Sequence, residues 1–230
     1  MMYGLALDTS NKLQLALLNE DRVVDTIVLK EKINISDVIL QYIATLIDRN
    51  KITLKDINYI TLINGAGYFT GVRIAIVVAK IFRLSLNIPV FTFSTSFIMF
   101  KEISDSLLES NFVVSSVDIG KSGCVISVFS KQEQIVSDIY VDEDNLADFF
   151  KNHESLSGIS LKNLVIIGNK QSLFKEIDYF AEATYCDNLV ATSMKILGME
   201  AIKSYNRGDL QPKIEPLYAK EADVIIKQGK

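Results

Sequence analysis

Along the first hundred residues the spacing of apolar positions changes several times, and each change predicts an element. YGLAL at 3–7 and LQLALL at 13–18 are apolar runs of strand length separated by the turn DTSN, and EDRVVDTIVL carries a third strand after an acidic turn. From Val38 to Arg49 the period lengthens. Val38, Ile39, Tyr42, Ile43, Leu46 and Ile47 recur at helical spacing, with Ser36 and Asp37 as caps. INYITLING then predicts a strand that runs into a glycine loop, followed by a long helix over 72–84. Pro89 opens the short strand VFTF, and 95–109 again has a helical pattern.

The layout then repeats. SSVDIGKSGCVISVFSKQEQIVSD, from Ser115, follows the order of LALDTSNKLQLALLNEDRVVD, from Leu5: strand, aspartate, turn, strand, polar hairpin, strand. Asp8 and Asp118 hold the same place in the two copies. Each copy later reaches a strand ending in glycine, Gly65 or Gly168, 57 and 50 residues beyond its aspartate, and then a helix. This predicts an α/β fold of two duplicated domains with mixed sheets. The expected boundaries are 1–100, a smaller second domain over 101–190, and a C-terminal part over 191–230 that returns to the first domain. That last part holds a helix at 193–206, opened by Thr192 or Ser193 and closed by Gly208. DLQPKIEPLYAKEAD follows as an extended segment, because its prolines exclude a helix interior.

Charge narrows the functional classes. The 230 residues carry a formal net charge of −4 with Lys and Arg scattered, so an unaided grip on nucleic acid is not expected. The most apolar window, 74–93, is interrupted by Lys80, Arg83, Asn87 and Pro89, too polar for a membrane span. MMYGLALDTS has no signal-peptide pattern, and the two cysteines suit a reducing cytosol, with Cys124 in a buried strand. The expected location is cytoplasmic, with only the tail after Asp223 outside the folded part.

The inventory for chemistry is short. His153, in the polar run KNHESLSG, is the only histidine. It is expected to be a solvated loop residue, which leaves no metal centre and no Ser/His or Cys/His pair of recognisable pattern. A strand–Asp–turn–strand hairpin in both halves is how actin-like and sugar-kinase-like ATPases hold phosphates and Mg²⁺. The first hairpin, DTSNK, has no glycine to admit a phosphate to the backbone, although Thr9 and Ser10 retain hydroxyls. The second, DIGKSG, has Gly120 and Gly123. Asp8, Thr9, Ser10 and Asp118 are therefore either a working nucleotide site or remnants that cap turns.

NGAGYFTGVRIAIVVAK spaces its glycines as neither a dinucleotide fingerprint nor a Walker loop. An anion at the helix N-terminus, near Arg73, remains open. On the helix itself, Arg73, Lys80 and Asn87 share a narrow stripe while apolar residues fill the rest of the circumference. Such a helix is either enclosed within the monomer or covered by a partner.

GAGYFTGVRIA, Gly65 to Ala75, is similar to the signature G-P-G-S-F-T-G-V-R-I-G of the bacterial TsaB (YeaZ) proteins. LALDTS, FSTS at 93–96 and EPLYAK at 215–220 add to the likeness. It is firm over 3–100, thin over 101–190 and visible again at the end. It departs at Ala66 and Tyr68, at Ile35 where the family usually has histidine, and at Gly120 where it usually has arginine. The resemblance implies an actin-like ATPase (ASKHA, ribonuclease H-like) fold with a degenerate nucleotide site, and no catalytic residues or cofactor. It further implies a scaffold role in making threonylcarbamoyladenosine at tRNA position 37. The partners it implies are a TsaD-like transferase and a TsaE-like ATPase, with a homodimer when alone and tRNA met only through the complex. On that reading Val38, Tyr42, Leu46, Tyr68, Phe69, Arg73, Ile76, Val77, Lys80, Phe82 and Arg83 form the partner interface. Gly65, Gly67 and Gly71 shape the loop, and Thr70 starts the helix. An actin-like ATPase or small-molecule kinase is the alternative.

Overall fold

Strand β1 (Tyr3–Asp8) is buried on both faces, and its alternating side chains feed two separate apolar layers. The computed structural model describes residues 2–20, 22–29, 33–103, 111–131, 133–189, 191–209 and 213–221. β1 pairs antiparallel with β2 (Gln14–Asn19), and β2 pairs antiparallel with β3 (Arg22–Val28). On its other side β1 runs parallel to β4 (Ile57–Gly65), which is parallel to β5 (Val90–Ser94). The resulting order is β3-β2-β1-β4-β5.

Leu5, Leu7, Leu15, Leu17, Ile60 and Leu62 face one layer, closed by α1 (Ile35–Arg49) and α2 (Phe69–Leu86). Ala6, Ala16, Leu18, Tyr59 and Ile63 face the other, where the C-terminal helix supplies Met194, Leu197 and Ala201. α1 begins three residues ahead of the predicted start. Asn34 occupies its N-cap, and the Ser36 hydroxyl bonds to the Asn34 and Asp37 side chains rather than to the backbone. The short helix α3 (Thr95–Phe100) covers the start of the 95–109 prediction, and 104–110 lie outside the described residues.

The second sheet repeats the first. β6 (Phe112–Val117), β7 (Cys124–Phe129), β8 (Gln134–Val141), β9 (Leu164–Ile167) and β10 (Thr184–Tyr185) pair in the order β8-β7-β6-β9-β10. Antiparallel and parallel pairings match those of the first sheet. A two-residue strand, β11 (Lys220–Glu221), is added in parallel beside β8. The core beneath this sheet is aromatic: Phe149 and Phe150 of α4 (Leu146–Asn152) meet Phe174 of α5 (Ser172–Lys175) and Phe180. The helix expected after Gly168 is a single turn, because Phe174, Ile177 and Phe180 reach the core through that turn and a following 3-10 turn. His153 is half-buried at the end of α4, its ring 4.9 Å from that of Phe149, rather than solvated.

Two compact units emerge, Met1–Ile98 with Thr192–Leu217, and Met99–Ala191 with Tyr218–Lys230. α6 (Met194–Arg207) starts at Ser193, whose hydroxyl accepts from the Ile196 N–H, and ends at left-handed Gly208. Among the described residues no helix is long and apolar enough to cross a membrane.

Candidate functional site

The turn between β1 and β2 presses directly on the glycine loop. Asp8 Oδ1 accepts the Ser10 N–H at 2.7 Å, which closes an Asx turn. Its Oδ2 accepts from the Thr192 hydroxyl and from Gln14. The Thr9 hydroxyl donates to the Gly71 carbonyl at 2.7 Å, and the Ser10 carbonyl accepts the Tyr68 N–H at 2.6 Å. A Cβ on Gly67 would lie 2.5 Å from Ser10 Cβ, and one on Gly71 would lie 1.9 Å from the Thr9 carbonyl oxygen. The absence of side chains at these glycines lets one piece of the chain lie against another. The groups that an anion would have used, the Thr9 hydroxyl and the Tyr68 N–H, are spent on that contact.

Gly65, with φ +137°, faces a different neighbour. Leu217 donates its N–H to the Asn64 carbonyl at 2.7 Å, and a Cβ on Gly65 would lie 2.8 Å from the Leu217 oxygen.

The second hairpin is built in the same way. Asp118 Oδ1 accepts the Gly120 N–H at 2.9 Å, and the Asp118 N–H is held by the Asn169 side chain at 2.8 Å. Lys170 Nζ stands 3.8 Å from Asp118 Oδ1. Gly123 donates to the Tyr140 hydroxyl at 3.3 Å, so both glycine amides of DIGKSG have partners within the protein.

The two helices show which of their faces remain open. On α2, Val72, Ala75, Ile76, Val78 and Ala79 enter the core. Phe69, Val77, Ile81 and Leu84 form a stripe that is 53%, 55%, 50% and 84% exposed. Arg73 and Lys80 are exposed on the same face, with the Arg73 guanidinium carbon 3.6 Å from the centre of the Phe69 ring. Tyr68 is exposed, while Val38, Tyr42, Phe82 and Arg83 are half-buried.

Three expectations change. Leu46 and Ile76 are 0% and 3% exposed and serve the core, so they leave the proposed interface. Thr70 lies inside the helix, whose N-cap is Tyr68, and so does not start it. Ile81 and Leu84 also belong to the open stripe. Their signal was the spacing of Val77, Ile81 and Leu84, at i, i+4 and i+7.

This architecture, a duplicated sheet of order 3-2-1-4-5 with an aspartate turn in each half, defines the actin-like class. A protein with the actin-like ATPase fold from Bacteroides thetaiotaomicron matches 87% of this chain and 96% of its own, with TM-score 0.52 and 8% identity. YeaZ from Pseudomonas aeruginosa matches 95% of this chain and 100% of its own, with TM-score 0.70 and 21% identity. The model of the family described as TsaD, tRNA N6-adenosine threonylcarbamoyltransferase, matches residues 31–206. The chain belongs to this family. The tRNA threonylcarbamoyladenosine biosynthesis protein TsaB of Buchnera aphidicola subsp. Schizaphis graminum is 49% identical over 57 residues, 25% of this chain. The aligned stretches span between 27% and 45% of the curated relatives.

Proposed function

We propose that this chain is a non-catalytic, cytoplasmic scaffold subunit of the machinery that makes N6-threonylcarbamoyladenosine at tRNA position 37. It docks a TsaD-like transferase through the exposed face of α2, and a TsaE-like ATPase joins the pair. Alone, it pairs with a second copy through a related surface, and it meets tRNA only within the complex. The observation that carries the reading is the stripe Phe69, Val77, Ile81 and Leu84 beside Arg73 and Lys80. Exposed apolar side chains with cations set among them suit a protein interface. The aspartate turns support the non-catalytic half of the proposal, because the Thr9 hydroxyl, the Ser10 and Tyr68 N–H groups and the amides of Gly120 and Gly123 bond within the protein. Names of relatives point the same way: TsaB proteins are named for threonylcarbamoyladenosine biosynthesis, and the family model for the transferase.

The test is reconstitution with the cognate transferase, the ATPase and a threonylcarbamoyl-adenylate source, measuring the modified nucleoside by mass spectrometry. The proposal expects modification to need this chain and to fall when Val77 becomes Glu. Modification at full rate without the chain contradicts it.

A further inference from the structure

The glycine loop is held from three directions, and one of them is the segment that follows α6. On the hairpin side, Ser10 and Thr9 bond to Tyr68 and Gly71. From the start of α3, the Thr95 hydroxyl donates to the Ala66 carbonyl. The third hold falls on Asn64 and Gly65, where β4 ends. Asn64 accepts the Leu217 N–H on its carbonyl at 2.7 Å and donates its side-chain amide to the Glu215 carbonyl at 3.2 Å. It thus grips the incoming segment at two points. Ile214, one residue earlier, is 3% exposed in the core shared by α1 and α2, which fixes the segment along a third line.

The need for this hold follows from the backbone. Gly65 and Gly67 have φ of +137° and +159°, conformations that glycine enters without steric penalty and leaves as readily. A loop with two such residues within three positions has many alternatives, so its conformation depends on what surrounds it. It leads within two residues of Gly67 to Phe69, the first residue of α2 and the first of its exposed stripe.

We propose that residues 213–217 form a positioning strap that fixes the glycine loop, and with it the first turn of α2, in the conformation that presents Phe69 and Arg73. The identity of what they are presented to rests on the scaffold reading; the strap itself does not. Residues about 150 positions away in the chain then govern the end of the docking face without touching a partner, as positioning groups.

The test uses the full chain with Asn64→Ala, Leu217→Pro and the pair combined. The first removes the amide donor and the second the N–H donor, while Ile214 stays in place. Hydrogen exchange read by mass spectrometry should show amides of 65–69 opening about tenfold faster, with the β1, β2 and α6 peptides unchanged. Affinity for the cognate transferase should weaken by a similar factor. Exchange at 65–69 within about twofold of the parent protein, in a variant with parental circular dichroism, overturns the strap. Should the pair fail to fold, Asn64→Ala alone decides by the same threshold. Loss of transferase binding by the parent chain sinks the scaffold reading instead and leaves the exchange result to judge the strap.

Discussion

Thr9 donates its hydroxyl to the carbonyl of Gly71 at 2.7 Å, across 62 residues of sequence, at a point where no side chain could stand between them. That contact joins the first aspartate turn to the helix that carries the exposed stripe. It makes the glycine signature a packing motif. Replacing Gly71 with Ala places a methyl group against backbone, which cannot rotate away, and should cost about 2–3 kcal/mol. A thermal melt reads this as a fall in Tm of roughly 5–10 °C. An unchanged Tm means that the turn and helix are not held in this contact.

Neighbouring residues on α2 should give opposite results. Val77→Glu adds charge where the side chain is 55% exposed, so stability should change by about 0.5 kcal/mol or less while partner binding weakens. Ile76→Glu forces an unpaired charge into the core, and the monomer should unfold, at a cost above roughly 4 kcal/mol. Paired melts and binding titrations separate the two. A folded Ile76→Glu chain would show that the helix is turned the other way.

Asp8 serves as a joint. Thr192→Val removes a hydroxyl donor from a buried carboxylate and should cost about 1–3 kcal/mol in denaturant unfolding. ATP–Mg²⁺ should leave the Tm of the unaltered protein within about 1 °C, since ligand binding would raise it. A saturable rise in Tm restores the ATPase alternative.

Alkaline pH should weaken the fold. Burial pushes the Cys124 thiol up from 9.0 to about 12 and raises the Tyr59 hydroxyl as well. The folded protein therefore keeps these protons while the unfolded chain releases them. The stabilisation is complete below about pH 9 and drains away as pH climbs towards 12, by about 1 kcal/mol from Cys124 at pH 10. Urea unfolding at pH 8, 9 and 10 tests the slope, and Cys124→Ala should flatten it. An unchanged slope in that variant assigns the effect elsewhere.

Much of the fold was legible because it depends on local patterning. Apolar runs of strand length marked β1, β2 and β4, the repeated aspartate turns disclosed the duplication, and Thr192 or Ser193 with Gly208 bounded α6. Orientation was harder. The periods of α1 and α2 locate apolar stripes but do not say which one meets the sheet, and the spacing of Leu46 and Ile76 fits a core position as well as an interface. The 213–217 segment has one proline, Pro216, and no period, which foretells extension but names no neighbour; its place beside Asn64 is set by tertiary contacts alone. The aspartate turns were ambiguous because an Asx turn and a phosphate loop use the same residue types. Only the partners of Thr9 and Ser10 distinguish them.

Size-exclusion chromatography with light scattering, on the chain alone and mixed with its cognate TsaD-like transferase, tests the scaffold claim most directly. A scaffold subunit gives a defined mixed complex with the parent chain, loss of any homodimer as it forms, and failure of Val77→Glu to assemble. Independent elution of the two proteins across concentrations, with ATP–Mg²⁺ and the TsaE-like ATPase present, would contradict it.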